Sequence, residues 1–199
     1  MLFRIVIICL TLAACYAGYE LWTIRTFYKT LQEPAAEFTV INPGNQPAIT
    51  IVEILNYNCI PCRKAHVVLL DYAERNKDVK LVIRPVPFSN SKEDTERALA
   101  AGLQGKFADM DRAMTEYLGD FDEKFYRESA ALYEIDYDRM LKDAESDEVY
   151  KLAEDNAKAA AMLNTSSVPA LLIGKTLYQP EDDLTLPDLI RMVQTEQAN

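Results

Sequence analysis

The apolar positions of the chain fall into runs of two periods. Ala48-Ile49-Thr50-Ile51-Val52-Glu53-Ile54-Leu55 is short, rich in β-branched residues and broken by a single acid, which predicts a buried strand. Val67, Val68, Leu69, Leu70, Tyr72 and Ala73 then have the apolar density of a buried helix, ended by Asn76-Lys77-Asp78. Val79 to Pro87 is a second strand, so the three segments form a β-α-β unit. From Lys92 to Leu163 the pattern is helical, with breaks expected at Gly102, Gly105, Gly119 and Asp136. Val168 to Tyr178 predicts a hairpin turning at Gly174-Lys175. Leu186 to Val193 closes the chain as a helix, with Pro187 suited to its first turn. The order β-α-β, helical block, β-β-α predicts an α/β domain over 48–199 with a helical insertion at about 92–163.

The N-terminus follows another pattern. Arg4 precedes an apolar stretch from Ile5 to Tyr19, as in an export signal. Three readings share that conclusion. Leu12-Ala13-Ala14-Cys15 resembles a lipobox, which makes Cys15 a lipid-bearing residue. Ile5 to about Ile24 is long enough for an uncleaved anchor at ~20 residues, with Tyr16, Tyr19 and Trp22 suited to an interface, although Glu20, Arg25 and Lys29 count against it. Cleavage after Ala17 releases a soluble protein. Residues 1–24 are thus a signal peptide or membrane anchor, and the expected place is the periplasm or cell envelope. Leu21, Ile24, Tyr28 and Leu31 recur at helical spacing, offering a stripe for a homodimer or merely continuing the anchor. Pro34, Pro43, Gly44 and Pro47 mark a linker, so 25–47 is expected to be helix and linker.

A formal charge of -10 on 199 residues argues against phosphate-backbone binding, so no nucleic-acid partner is expected. Of four cysteines, Cys9 and Cys15 lie in the N-terminal stretch, which leaves Cys59 and Cys62 alone in the domain. A disulfide three residues apart removes little entropy from the unfolded chain, so chemistry explains the pair better than stapling. Cys59 falls where the first domain helix begins, and a helix N-terminus lowers a thiol pKa. Cys62 lies one turn further in. The positions predict unequal roles: Cys59 exchanges with a partner and Cys62 resolves the mixed disulfide.

The stretch Thr50 to His66, including Asn58-Cys59-Ile60-Pro61-Cys62, resembles the active-site segment of the DsbA-like thioredoxin-fold family of bacteria. Arg84-Pro85-Val86-Pro87-Phe88, Ala98 to Phe107, Ile135-Asp136-Tyr137-Asp138 and Val168-Pro169-Ala170-Leu171-Leu172-Ile173-Gly174 continue the similarity over nearly the whole chain from about residue 48. The resemblance implies a thioredoxin-like fold with a helical insertion, Cys59 and Cys62 as the redox pair, a cis bond at Pro169, and Glu53 as the buried acid of the preceding strand. Glu53 would exchange a proton with Cys62; its alternative is a strand-edge acid facing water. Val168, Ile60 and Pro61 would contact substrate, the backbone before Pro169 pairing with an extended peptide.

These features predict a protein thiol-disulfide oxidoreductase acting on exported proteins, without a cofactor or a metal. Its partners would be thiol- or disulfide-containing substrates and a DsbB- or DsbD-like membrane protein. Disulfide formation is the expected direction; reduction and isomerisation are the alternatives, because Ile60-Pro61 lacks the family's histidine and Ser167 stands in a Gly-Thr-Pro position. Two readings of other classes are a non-catalytic peptide-binding or chaperone module and a metal site. The latter would use Cys59, Cys62 and His66, but it lacks a fourth ligand.

Overall fold

The computed structural model describes residues 2–44, 47–165, 167–180 and 183–198. Part of the expected linker, Asn45 and Gln46, lies outside them. The contacts divide the chain into Met1–Glu33 and Pro34–Asn199.

The first unit is one helix, α1 (Leu2–Gln32). The short helix expected at Leu21 to Leu31 is its continuous second half. Within it Thr23 Oγ1 donates to the Tyr19 carbonyl at 2.9 Å, and the Tyr19 and Trp22 rings lie 6.3 Å apart. Among the described residues no helix is long and apolar enough to cross a membrane.

The second unit is built on a five-stranded sheet of order β1-β3-β2-β4-β5, with β1 (Val40–Ile41), β2 (Ile49–Leu55), β3 (Val79–Pro85), β4 (Ala170–Ile173) and β5 (Thr176–Tyr178). β2 and β3 are parallel, in register from Ile49 opposite Val79 to Leu55 opposite Pro85, and α2 (Ile60–Arg75) connects them. β4 pairs antiparallel to the other edge of β2, with Glu53 opposite Leu171. A strand hydrogen-bonded on both sides and covered on both faces carries little polar alternation, hence the continuous apolar reading of β2.

The sheet begins earlier than the apolar pattern suggests. A 3-10 turn at Glu37–Thr39 leads into β1, which pairs antiparallel with β3. Asn42 Nδ2, just after β1, donates to the carbonyls of Ala73 at 2.5 Å and Val79 at 3.0 Å, tying this edge to the end of α2.

Between β3 and β4 lie α3 (Lys92–Leu103), α4 (Phe107–Glu116), α5 (Glu123–Leu132), α6 (Tyr137–Ala144) and α7 (Asp147–Met162). Side-chain caps begin three of them: Asp122 on the Phe125 amide at 2.8 Å, Asp136 on Arg139 at 2.9 Å, and Ser146 on Val149 at 3.3 Å. The breaks expected at Gly105, Gly119 and Asp136 are present. The one expected at Gly102 is not: Gly102 lies inside α3, where an added Cβ would meet the Phe38 ring at 2.3 Å. Its role is close approach rather than helix termination. Gly174, with φ +59°, makes the β4–β5 turn as expected. The last helix, α8 (Leu186–Gln197), carries Pro187 in its first turn.

Candidate active site

Every element that shapes the site meets at the C-terminal end of β2. On that strand Ile51, Glu53 and Leu55 alternate with Val52 and Ile54, and the first set faces α2, where Cys62, Ala65, Leu69 and Ala73 form the inner stripe. The chain turns at Asn56–Asn58, and Cys59 is the N-cap of α2, with extended backbone at φ -100°. Its Sγ accepts the Cys62 amide at 3.2 Å, taking the place of a capping oxygen. Pro61 fits the first turn because its missing N–H has no partner to lose there.

This cap favours the thiolate form of Cys59. Hydrogen bonding from the Cys62 thiol lowers its pKa most, burial opposes, and the Cys62 amide and the Arg63 charge lower it further, to about 7 from 9.0. Cys62 moves the other way: its hydrogen bond to Cys59 and then its burial push the thiol well up. One sulfur is partly exposed and poised as thiolate, while the other is buried and protonated. Ile60 and Pro61 are exposed beside them.

The Val168–Pro169 peptide is cis, and the Val168 carbonyl lies 3.8 Å from Cys59 Sγ. Val168 is partly exposed, whereas Pro169 is buried. The helical insertion fastens the turn from the opposite side. Asn58 Nδ2 donates to Asp94 Oδ2 at 2.7 Å and to the Asn90 carbonyl, and Asp94 Oδ1 also accepts the Tyr126 hydroxyl at 2.7 Å. Arg63, nearly buried, donates to the Tyr117 carbonyl and lies 5.2 Å from the Phe121 ring centre.

Beneath the dithiol lies a polar cluster. Glu53 is fully buried, not a strand-edge acid facing water. His66 is also fully buried, because it falls one turn after Cys62 on the inner stripe. Its Nδ1 is 2.5 Å from Glu53 Oε2, and its Nε2 is 2.7 Å from Oδ2 of Asp111, on α4. The Tyr57 hydroxyl donates to Asp111 Oδ1 at 2.7 Å. Burial raises the Glu53 pKa, with the His66 charge pulling back. For His66 burial pulls down, but the charges of Asp111 and Glu53 outweigh it and hold the pKa well above 6.5. Because both ring nitrogens are engaged by carboxylates, His66 is not presented to the cysteines as a ligand, and the described residues contain no three-ligand metal cluster.

The profile of the family described as thioredoxin (Thioredoxin_4) matches residues 39–192. Among solved structures, a thioredoxin-like oxidoreductase from Silicibacter pomeroyi DSS-3 superposes with a TM-score of 0.73 at 24% identity, over 85% of this chain and 96% of that one. The catalytic domain of Proteus mirabilis ScsC gives 0.73 at 18% identity, over 88% and 97%. The oxidoreductase DsbA from Xylella fastidiosa gives 0.65 at 21% identity, over 84% and 92%. Among curated proteins, none matches the sequence. With the profile spanning both strands of the β-α-β unit, the dithiol turn and the hairpin that carries Pro169, the chain belongs to the thioredoxin family of thiol-disulfide oxidoreductases, and its fold is the DsbA-like form with a helical insertion.

Proposed function

We propose that the chain exchanges disulfides with exported proteins through Cys59, and that it works mainly by attacking substrate disulfides as a reductase or isomerase. The observation that carries this reading is the Cys59 sulfur, capping α2 at 3.2 Å from the Cys62 amide with its pKa near 7. The sequence favours disulfide formation, but a Cys59 pKa of about 7 lies closer to that of thioredoxin than to that of DsbA and supports the reducing direction. Cys59 thiolate attacks a substrate disulfide, and the mixed disulfide is resolved by Cys62. Glu53 takes the Cys62 proton, and a membrane redox partner restores the dithiol. Val168, Ile60 and Pro61 border the attacking sulfur and would hold an extended substrate segment. The apolar N-terminal residues support a place in the cell envelope, reached by a signal, an anchor or lipid on Cys15.

Cys62→Ser should trap substrates covalently on Cys59, and Cys59→Ser should abolish activity. The direction is read from the potential of the Cys59–Cys62 couple. A value near ~-270 mV agrees with the proposal, and one near ~-120 mV makes the protein an oxidase. Failure to capture any mixed disulfide would refute exchange itself.

A further inference from the structure

His66 is the single histidine of the chain, and the exchange reaction as described makes no use of it. An ionisable imidazole and two carboxylates together in a core are costly to bury, which apolar residues of the same volume would avoid. The geometry indicates what the cluster does.

Two short gaps, Glu53–His66 at 2.5 Å and His66–Asp111 at 2.7 Å, each need one proton. Two protons are therefore shared among three groups, and the carboxylates are not equivalent. Asp111 accepts a second hydrogen bond, from the Tyr57 hydroxyl, whereas Glu53 Oε1 is buried without a hydrogen-bond partner. The charge is better stabilised on Asp111, so the proton-accepting capacity of the cluster lies on Glu53. Cys62 shares the inner stripe of α2 with His66, and the Glu53 charge reaches its thiol. Several other charged groups of the surrounding elements pair elsewhere: on α2 Lys64 pairs with Asp183 and Arg63 donates to the Tyr117 carbonyl, while Glu116 on α4 is exposed and Lys80 on β3 half-buried. On α4 Arg112 pairs with Glu74 and Asp109 with Lys106; on β3 Arg84 bonds Asn156. On α8 Asp188 pairs with Arg191, and Glu196 accepts from Tyr178.

We infer that His66, fixed by Asp111, is a positioning residue for the resolving step: its cation keeps Glu53 ionised with Oε1 open to accept the Cys62 proton. The inference rests on the exchange reading above. In that step the Cys62 S–H proton passes to Glu53 through one intervening water, because no direct hydrogen bond joins the thiol to Oε1, and the sulfur electron pair attacks Cys59 Sγ. The Cys59–Cys62 bond forms as the bond from Cys59 to the substrate sulfur breaks, and the substrate thiolate takes a proton from water. The substrate sulfur is reduced and the cysteine pair oxidised. The hydrogen bond to Cys59 that pushes Cys62 up most is lost once Cys59 is in the mixed disulfide, which lowers the thiol's pKa for the resolving step.

The test uses the full chain with the nitrobenzoate disulfide of Ellman's reagent as substrate, which separates capture by Cys59 from release of the second chromophoric thiol through Cys62. His66→Gln removes the cation that pulls the Glu53 pKa back, which favours the protonated carboxyl. Release should slow about tenfold or more at pH 7 and recover only at higher pH, whereas capture is unchanged. Asp111→Asn should shift the release profile the same way, and His66→Gln added to Glu53→Gln should cost nothing further. Loss of packing alone would not move the pH profile of one step. If release keeps the parent pH profile in His66→Gln, the inference is wrong although exchange stands; if no capture occurs in the parent, exchange itself fails. Should the variants not fold, the ring nitrogens of the parent protein still decide. Their NMR shifts should report a doubly protonated imidazole at pH 7, and a neutral ring overturns the proposal.

Discussion

The sulfur environment of Cys59 makes a quantitative prediction for rate and for redox chemistry. A pKa lowered from 9.0 to about 7 makes roughly half of the sulfur thiolate at pH 7, against about 1% for an unperturbed thiol. The lowered basicity costs intrinsic nucleophilicity, about tenfold over two units at a Brønsted slope near 0.5. The gain of about fiftyfold in thiolate wins by roughly fivefold over a free thiol. The same shift sets how the couple responds to pH. Below 7 two electrons enter with two protons, and the potential falls by about 59 mV per pH unit; above 7 only Cys62 takes a proton, and the slope halves to about 30 mV. The assay is the ultraviolet absorbance of the thiolate in the reduced protein against the oxidised protein, together with the equilibrium potential across the same pH range. Cys62→Ala removes the largest cause of the shift and should move the midpoint up further than Arg63→Met, which removes only the smallest of the four. A midpoint near 9 in the parent protein, or a potential with one slope from pH 6 to 8, would refute the reasoning.

The same thiol links stability to redox state. Its folded pKa lies below the unfolded value, so the added stability of the reduced form is fully present above about pH 9 and is lost as pH falls through about 7. The urea midpoint of the reduced protein should therefore rise relative to the oxidised protein between pH 7 and 9, and a constant difference would contradict it. Gly102→Ala should destabilise, because overpacking against Phe38 at about 1–3 kcal/mol exceeds the helix-propensity gain of about 1 kcal/mol; with Phe38→Leu beside it, the substitution should turn stabilising in urea titrations. Asn156 is buried, accepts from Arg84 at 3.2 Å and donates to the Pro85 carbonyl at 3.1 Å. Asn156→Ala should cost about 1–3 kcal/mol, and a loss under 0.5 kcal/mol would show that these bonds add little.

The parts of the fold readable from sequence are those with local cause. β2, the dithiol turn and α2 follow from one apolar run, a helix start and a helix stop, all within 30 residues. Val40–Ile41 is too short to show a period, and it becomes a strand only because β3 offers it an edge. Gly102 carries the usual mark of a break, yet it stays helical because what it accommodates, Phe38, is 64 residues away in sequence. The placement of Cys59 and Cys62 at the start of α2 is readable from spacing and place. The partner of His66 was not: Asp111 lies 45 positions further along the chain, and nothing in an acidic amphipathic helix distinguishes that aspartate from its solvated neighbours. One signal was available in His66 itself, a lone histidine in register with Cys62 on the stripe that packs against Glu53.

The position of Asp111 in α4 bears on how freely the helical insertion can be exchanged. The β-α-β unit supplies an imidazole and one acid for its Nδ1, but the acid that meets its Nε2 comes from the insertion. Neither part is therefore a self-sufficient cassette. A chimaera that takes the insertion of another protein of this fold must inherit an acid at the equivalent site, or mutate His66 at the same time, and selection on either residue constrains the other.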